Sequence, residues 1–344
     1  MPKFSIVLAT RDRPALFKEA LDSVLEQDFD NFEIVVVNDG STEENAAIYR
    51  EILDQAGSAR NIPVSVHWLV RRPKGHGQSY SLNFGVSHAS GEYVGFLDDD
   101  DTWTDNTHLG RAARAIDLAP GNGRPVDLYM SNQKAVLLGK DVPGPIWLEA
   151  LAGNLQASGK AARDDGSFQV SPAELLNCGG FAHLNCLIVR RDLYEKIGGM
   201  DEGIRWECDR DVFLRLVDNS DVMLHHPSTI SLHNVPDPSK TTNMTTALSM
   251  IDKRLLQIRV LEKATLFASN PLIRAHGRQH KTYALHRISD ELAQIGDWKL
   301  SSHYAAEACA MSPSLKLFGL TIQRFMRSLV SKPFDPAHAA ADPR

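Results

Sequence analysis

The chain has 344 residues, of which 43% are hydrophobic and 23% are charged, as in an ordinary soluble globular protein. Its formal net charge of −6 excludes a basic field for nucleic acid spread over the whole molecule. No stretch reaches the roughly 20 apolar residues that a membrane-spanning helix needs, and the four cysteines form no CxxC pair. These properties predict a cytoplasmic protein with reduced cysteines, working in solution or peripherally at the inner face of the membrane.

The first hundred residues alternate between apolar strands and amphipathic helices. Strands are predicted at 4–10, 32–37, 64–70 and 93–97 because these runs are apolar and rich in β-branched residues. Helices are predicted from Pro14, after residue 41 and over 79–89, and Ser41 and Glu44 have the spacing of a capping box. This alternation predicts a parallel sheet covered by helices on both faces.

The second half continues as an α/β domain and then changes character. A helix at 107–118, a strand at 126–130, a less regular stretch at 131–180, a strand at 183–189, a helix at 209–217 and short strands at 222–225 and 230–233 are predicted. Residues 247–330 have helical periodicity with almost no strand signal, so we place a domain boundary near 240. Helices at 283–295 and 299–311 resemble one helical-hairpin repeat. A last helix at 315–330, with interleaved basic residues, predicts either contact with a membrane surface or docking onto the first domain.

The strongest chemical signal is a run of four aspartates, Asp98 to Asp101, directly after the predicted strand YVGFL. A solvated acidic turn is the alternative interpretation. In a parallel α/β sheet, however, the carboxyl ends of the strands form the ligand crevice, and adjacent carboxylates there repel one another unless a cation is bound. An EF-hand is excluded, because Trp103 occupies the position that requires glycine. The run therefore predicts a site for a divalent metal, Mn²⁺ or Mg²⁺.

Five spaced segments resemble the motifs of the inverting family 2 glycosyltransferases. FSIVLATRDRP (4–14), VVVNDGSTEEN (35–45) and GEYVGFLDDDDTW (91–103) resemble the nucleotide-sugar half, and RRDLYEKIGGMDE (190–202) and CDRDVFLRL (208–216) resemble the acceptor half. The resemblance covers roughly residues 1–240 and implies an α/β fold of the GT-A type, a Rossmann-like, mostly parallel sheet flanked by helices. It assigns residues 1–120 to the nucleotide-sugar half and residues 121–240 to the acceptor half. The C-terminal α-helical extension, residues 241–344, lies outside the resemblance and is predicted from its helical periodicity.

Family motifs also assign roles to single residues. By this resemblance the donor is bound by Ala9, Thr10, Arg11, Asp39, Arg72, Asp98 and Asp99. Asp39 would accept a hydrogen bond from uracil, although an Asx turn is the alternative, and Arg72 could equally be a solvated loop residue. Asp100 and Asp98 would form the metal-binding Asp-x-Asp pair, with Asp98 or Asp99 near the ribose. Because four aspartates are adjacent, this register could shift by one.

The resemblance places the catalytic base at Asp209. A sugar hydroxyl is a poor nucleophile at neutral pH, and a positioned carboxylate can take its proton as the new bond forms. The family usually has Glu-Asp here, whereas this chain has Cys208-Asp209 after Glu207, so Asp211 remains a competing candidate. The other interpretation of Asp209 is a carboxylate that only stabilises a helix N-terminus.

Aromatic residues and histidines provide further candidates around the acceptor. His233 ends a predicted strand and matches a position where some relatives have a histidine near the diphosphate or metal. His183, Trp147 and Trp206 could line an acceptor pocket, since aromatic faces stack on sugar rings, or could pack in the core.

The resemblance implies transfer of a sugar, with inversion, from a nucleotide-sugar (a UDP-sugar most of all) to a hydroxyl of a glycan or lipid-linked saccharide in cell-surface polysaccharide synthesis. Two other functions stay open. A sugar nucleotidyltransferase normally has a glycine-rich first loop, which ATRDRP (9–14) lacks, and a non-catalytic glycan- or partner-binding protein could keep the fold without turnover. A homo-oligomer also stays open.

Overall fold

The computed structural model describes residues 1–118, 123–144, 146–239, 246 and 248–331, without the side chains of 57–59. The chain divides into two compact units, Met1–Lys240 and Thr241–Arg344. The first unit is built on a mixed β-sheet with helices, and the described part of the second contains helices only.

Four parallel strands form the first part of the sheet, as predicted, in the order β3-β2-β1-β4. They are β1 Phe4–Thr10, β2 Phe32–Asn38, β3 Val64–Trp68 and β4 Tyr93–Phe96, connected by helices α1 Pro14–Leu25, α2 Glu43–Ala59 and α3 Gln78–Ser87. The apolar runs of β1, β2 and β4 are almost completely buried, and this burial is the main force that holds the sheet between its helices.

The predicted capping box at Ser41 and Glu44 is wrong by one residue. Thr42 caps α2, its hydroxyl accepting a hydrogen bond of 3.2 Å from the backbone N–H of Asn45. Ser41 instead accepts a hydrogen bond of 2.9 Å from the backbone N–H of Asp12. The spacing rule misplaced the helix start because the Ser41 hydroxyl fastens the loop after β1, and the next residue is equally able to cap.

The sheet continues beyond β4 in the order β9-β6-β10-β5. These elements are β5 Thr102–Trp103, α4 His108–Asp117, β6 Leu128–Leu137, β7 Lys140–Asp141, α5 Leu151–Ala157, β8 Phe168–Val170, α6 Pro172–Asn177, β9 Leu187–Arg190, α7 Arg191–Lys196, α8 Cys208–Asn219 and β10 Met223–Asn234. Strand β9 is antiparallel to both of its neighbours, whereas β6 and β10 are parallel to each other. The sheet is therefore mixed in this half.

Strand β10 is continuous where two short strands were predicted. Its pairing with β6 shifts register between His225 and Thr229 and again before Ser231. Pro227 lies in this irregular section, and proline cannot donate a hydrogen bond to a neighbouring strand. The interruption in the sequence pattern therefore marks a bulge within one strand. This bulged strand carries His233 to the edge of the sheet where β4 ends.

The second unit contains α9 Met250–Phe267, α10 Pro271–Gln294, α11 Trp298–Met311 and α12 Leu315–Val330. Helix α10 begins twelve residues before the predicted start, because Asn270 caps it and Pro271 occupies its first turn. The buried hydroxyls of Ser289 and Ser301 each donate to the other residue's backbone carbonyl, which joins α10 to α11.

Candidate functional site

The carboxyl ends of β1, β2 and β4 lie along one edge of the sheet and carry the predicted donor-binding loops. Thr10 pairs with Asn38 in the parallel ladder, and the backbone N–H of Asp39 donates to the Thr10 carbonyl at 2.8 Å. The aspartate run follows β4 at the same edge. This arrangement brings the first three motifs together because the ends of parallel neighbours coincide.

Asp99 is buried beneath the first loop. Its carboxylate accepts a hydrogen bond of 2.6 Å from the Thr10 hydroxyl and pairs with the Arg13 guanidinium, which also contacts Asp100 at 2.7 Å. Burial raises the pKa of Asp99 to about 7, although the charge of Arg13 acts in the opposite direction. The Asp99 side chain, only 1% exposed, therefore ties the run to the loop after β1.

Asp98 and Asp101 are held by a common residue, Asn185. The Asn185 side-chain oxygen accepts a hydrogen bond of 3.0 Å from the Asp98 backbone N–H, and its amide nitrogen donates to the Asp101 carboxylate at 2.6 Å. Gln78, at the start of α3, donates to the Asp98 carboxylate at 2.7 Å. The side-chain amides of Gln78 and Asn185 thus hold the first and the last aspartate of the run in place.

Asp101 also binds the end of β10. His233 Nδ1 lies 2.7 Å from its carboxylate, and the backbone N–H of Asn234 donates to the other oxygen at 2.7 Å. Burial acts to lower the pKa of His233, but the hydrogen bond and the negative charge of Asp101 outweigh it and raise this pKa above its usual value. The structure therefore places His233 beside the aspartate run.

The residues present fit a divalent cation in two overlapping sets. Ligand atoms of Asp98, Asp100 and Asp101 lie within 4.8 Å of one another, as do those of Asp101, His183 and His233. Carboxylate oxygens suit Mg²⁺ or Mn²⁺, and imidazole nitrogen suits the transition metals. Burial and then the charges of Asp101 and Asp100 raise the pKa of Asp98 well above its usual value. A cation would relieve this repulsion, so the donor set is chemically suited to a metal.

The two candidate bases lie in different environments. Asp209 is in the first turn of α8, and its carboxylate lies 3.9 Å from His183 Nε2, which is itself 3.8 Å from the Asp98 carboxylate. Asp211 is buried and forms an ion pair of 2.6 Å with Arg215. The Asp209 carboxylate therefore lies on the side of α8 near His183 and the aspartate run, whereas the Asp211 carboxylate is paired with Arg215 on the same helix.

Asp39 is enclosed by the loop before α3. The backbone N–H of His76 donates to both of its carboxylate oxygens, at 2.8 and 2.9 Å, and that of Gly77 donates at 3.1 Å. Arg11 lies over the same loop and donates to the carbonyl of Arg72 at 2.7 Å. The Arg72 side chain is exposed, and it is the backbone of this residue that contacts the predicted donor site.

Three further residues predicted to bind the donor or the acceptor are Ala9, Trp147 and Trp206. Ala9 is partly buried in β1, paired with Val37. Trp147 is buried with its ring edge-on to His183 and His233, at centroid distances of 6.0 and 5.4 Å. Trp206 is partly exposed just before α8. Trp147 thus packs against both histidines of the candidate metal-binding set Asp101, His183 and His233.

Reasoning from the sequence missed the residues that organise the site: Arg13, Gln78, Asn185 and Asn234. Arg13 lies in the first loop, where the ATRDRP motif gave a signal that could have identified it. The amide residues had no such signal, because asparagine and glutamine side chains are common in turns and at helix ends. The importance of Asn185 depends on strand order, which brings the turn just before β9 next to the end of β4.

Comparison with known proteins gives one family match. The model of the glycosyl transferase family 2 matches residues 5–121. A glucosyltransferase from Campylobacter jejuni, named GalNAc(5)-diNAcBac-PP-undecaprenol beta-1,3-glucosyltransferase, is 33% identical over 101 residues, which are 29% of this chain and 30% of the relative. The chain spans less than two thirds of the length of the first curated relatives that it matches.

Solved structures resemble the whole chain at the level of fold. Staphylococcus aureus TarS 1-349 in complex with UDP-GlcNAc superposes with a TM-score of 0.62 at 18% identity, covering 95% of this chain and 88% of TarS 1-349. The mannosyltransferase PcManGT from Pyrobaculum calidifontis, in complex with GDP-Man and Mn²⁺, has a TM-score of 0.58 at 18% identity, covering 95% and 81%. These similarities establish the GT-A-like fold with C-terminal helices.

Proposed function

We propose that this chain, which the model of the glycosyl transferase family 2 matches over residues 5–121, is a glycosyltransferase that transfers a sugar from a UDP-sugar to a hydroxyl, with inversion at the anomeric carbon. The observation that carries this proposal is the placement of Asp209. His183 Nε2 lies 3.9 Å from its carboxylate and 3.8 Å from that of Asp98, in the aspartate run at the end of β4. In this proposal Asp209 is the general base for the acceptor, and the neighbouring aspartates bind the diphosphate through a metal.

We assign the nucleotide to the loops that follow β1 and β2. Two backbone N–H groups donate to the Asp39 carboxylate, that of His76 to both oxygens and that of Gly77 to one. An ionised carboxylate has about four acceptor positions, so it can also accept a hydrogen bond from a ring N–H of the base. Ala9, Thr10 and Arg11 would line the base, and Asp98 or Asp99 would lie near the ribose. The UDP-GlcNAc bound by TarS supports a uridine donor by analogy of fold.

The metal ligands in this proposal are Asp100 and Asp98, with Asp101 and His233 as the neighbouring donors. A bound Mn²⁺ or Mg²⁺ would supply positive charge that stabilises the nucleoside diphosphate as it leaves. Arg13 would keep the run in register, because its guanidinium contacts both Asp99 and Asp100.

Catalysis would proceed by direct displacement. The acceptor oxygen attacks the anomeric carbon from the face opposite the diphosphate, the bond from that carbon to the diphosphate oxygen breaks, and the hydroxyl proton passes to the Asp209 carboxylate. Asp209 is 21% exposed, so an acceptor hydroxyl can reach it, whereas Asp211 is 3% exposed and already paired with Arg215. The geometry thus favours Asp209 over Asp211 as the base.

The acceptor is proposed to be a glycan or lipid-linked saccharide of cell-surface polysaccharide synthesis. Support comes from the Campylobacter jejuni relative, whose name describes a saccharide on undecaprenyl diphosphate. In the described part of the chain no helix is both long and apolar enough to cross a bilayer.

The test is isothermal titration of UDP, GDP, CDP, ADP and TDP with and without Mn²⁺, on the wild type and on Asp100→Ala. We expect UDP to bind in a metal-dependent manner and the dependence to be lost in the variant. Asp209→Asn should retain UDP affinity and lose transfer by a factor of about 10²–10⁴, the usual contribution of a general base. Undiminished turnover in Asp209→Asn would rule out the base assignment, and binding of none of the nucleotides would favour a non-catalytic binding protein.

A further inference from the structure

The last helix of the second unit, α12, leaves a long apolar stripe uncovered. None of its residues is buried, and the seven apolar side chains of the stripe are each between 49% and 93% exposed. They are Leu315, Phe318, Ile322, Phe325, Met326, Leu329 and Val330. Contiguous exposed apolar surface of this kind marks an interaction site.

The stripe is regular in the helical projection. With about 100° per residue, the seven side chains fall within an arc of roughly 140°, and the only other residue in that arc is Gly319. The opposite side of the helix is held by α11. Thr321 donates to the carbonyl of Ala305 at 3.1 Å, and the guanidinium of Arg324 stacks over the Trp298 ring. Since α12 is fixed through that side, the stripe faces away from α11.

The charge of the helix selects one kind of partner. The segment 313–331 contains no aspartate or glutamate, while Lys316 and Arg327 are exposed along one border of the stripe. A basic border beside an apolar face complements a bilayer that carries anionic headgroups. A second copy of the helix would bring a basic border against another one, with no acidic residue in the segment to pair with it.

We propose that α12 is an interfacial helix that binds the surface of an anionic lipid bilayer. At about 1.5 Å per residue its 16 residues extend roughly 24 Å, less than the hydrocarbon thickness of about 30 Å, so the helix lies in the plane of the interface. Phe318, Phe325 and Leu329 enter the acyl boundary, and Lys316 and Arg327 remain at the headgroups. The inference is independent of the proposed transfer reaction, because neither donor nor acceptor takes part.

Flotation of the full chain with vesicles tests this proposal. Vesicles of phosphatidylcholine alone are compared with vesicles that contain phosphatidylglycerol, at low and high salt. We expect binding to the anionic vesicles that weakens with salt, and loss of binding in the double variant Phe318→Glu/Phe325→Glu. Ile48→Glu is the matched control, because Ile48 is an exposed apolar residue on a helix of the first unit, and it should bind as the wild type does.

A second variant keeps the apolar stripe intact. Lys316→Gln/Arg327→Gln should weaken binding to the anionic vesicles by roughly five-fold for each charge removed. The proposal is overturned if the wild type ignores anionic vesicles, or if both double variants, folded by circular dichroism, bind like the wild type. It is also overturned if light scattering shows a dimer that Phe318→Glu/Phe325→Glu dissociates while no vesicle binding occurs, since the stripe would then be a self-association surface.

Discussion

The side-chain amide of Asn185 donates a hydrogen bond of 2.6 Å to Oδ2 of Asp101, and both residues are almost completely buried. The same amide group also accepts a hydrogen bond from the backbone N–H of Asp98. One neutral side chain thus connects the backbone of the first aspartate of the run to the carboxylate of the last. Residues that orient metal ligands commonly control affinity for the metal as strongly as some ligands do.

Asn185→Ala should therefore weaken Mn²⁺ binding, measured in the presence of UDP, by about 10–100-fold, the usual effect of removing a group that orients a metal ligand. The free energy of unfolding should fall by about 1–3 kcal/mol, because the Asp98 backbone N–H loses its acceptor and the Asp101 carboxylate loses one of its buried hydrogen bonds. Asn219→Ala is the control, since Asn219 donates only to an exposed helix carbonyl. A folded Asn185→Ala protein with wild-type Mn²⁺ affinity would contradict the positioning role.

Gly75 tests the loop that encloses Asp39. It has a φ of +67°, and a Cβ built on it would lie 2.2 Å from Arg11 Nη1 and 2.4 Å from Asp39 Oδ2. Gly75→Ala should therefore separate these two side chains and raise the Kd for UDP roughly ten-fold, which corresponds to losing one hydrogen bond to a charged group. Titration of UDP against the folded variant measures this change.

Gly77 offers a matched control for that substitution. It also has a positive φ, +102°, but a Cβ there would meet no atom within 4 Å. Both alanine variants carry the strain of a positive φ, which should be severe at position 77 because its ψ of 155° places it in a region that is essentially restricted to glycine. Only the variant at position 75 adds a collision with Arg11 and Asp39. Equal UDP affinities in the two variants would mean that the contact among Gly75, Arg11 and Asp39 is irrelevant to the nucleotide.

Features that depend on neighbouring residues in the sequence were predicted, whereas features that depend on contacts between distant residues were not. Strands β1, β2 and β4 and helix α12 were predicted because apolar periodicity is a local property. The aspartate run was predicted as a metal site because its position after a buried strand is also local. The different hydrogen-bond partners of the four aspartates were not predictable from the sequence. They depend on tertiary contacts, those of Thr10 and Arg13 with Asp99 and that of Asn185 with Asp101.

The antiparallel insertion of β9 explains why the role of Asn185 was missed. It places a strand from residue 187 onward between β4 and β6, and only this order brings Asn185 and His183 beside Asp98. Pairings between strands distant in sequence have no counterpart in local periodicity. The environments of the two candidate bases also depend on tertiary contacts, because the Asp209 carboxylate lies 3.9 Å from His183 and Asp211 is paired with Arg215.

Arg13 is expected to be a structural requirement of the aspartate run. Arg13→Met leaves the buried Asp99 carboxylate without its ion-pair partner, which should lower the free energy of unfolding by about 2–3 kcal/mol. We place the effect at the lower end for a buried pair because the Arg13 side chain is 42% exposed. Urea denaturation measures the loss, and Arg50→Met, which breaks the exposed pair with Glu43, should cost less than about 1 kcal/mol. Equal losses in the two variants would refute the role of Arg13.

The stability of the protein should fall in mild acid because of a buried histidine away from the aspartate run. His108 is fully buried, its ring packs edge-on to Trp103, and among the described residues neither ring nitrogen has a hydrogen-bond partner. Burial lowers the pKa of His108 to about 3, below the value of about 6.5 expected in the unfolded chain. The unfolded state therefore binds more protons below pH 6.5, and stability is lost as pH falls from there toward 3.

His108→Leu should remove this part of the pH dependence. Between pH 7 and pH 5 the wild type should lose about 2 kcal/mol more than the variant, as follows from a pKa difference of this size. His225, also buried, has its pKa lowered to about 4 by burial and should leave a residual slope of the same sign. His303→Leu is the control, because the His303 side chain is 62% exposed on α11. Urea denaturation at each pH gives the free energies, and parallel curves for the wild type and His108→Leu would show that His108 is protonated as easily in the folded protein as in the unfolded chain.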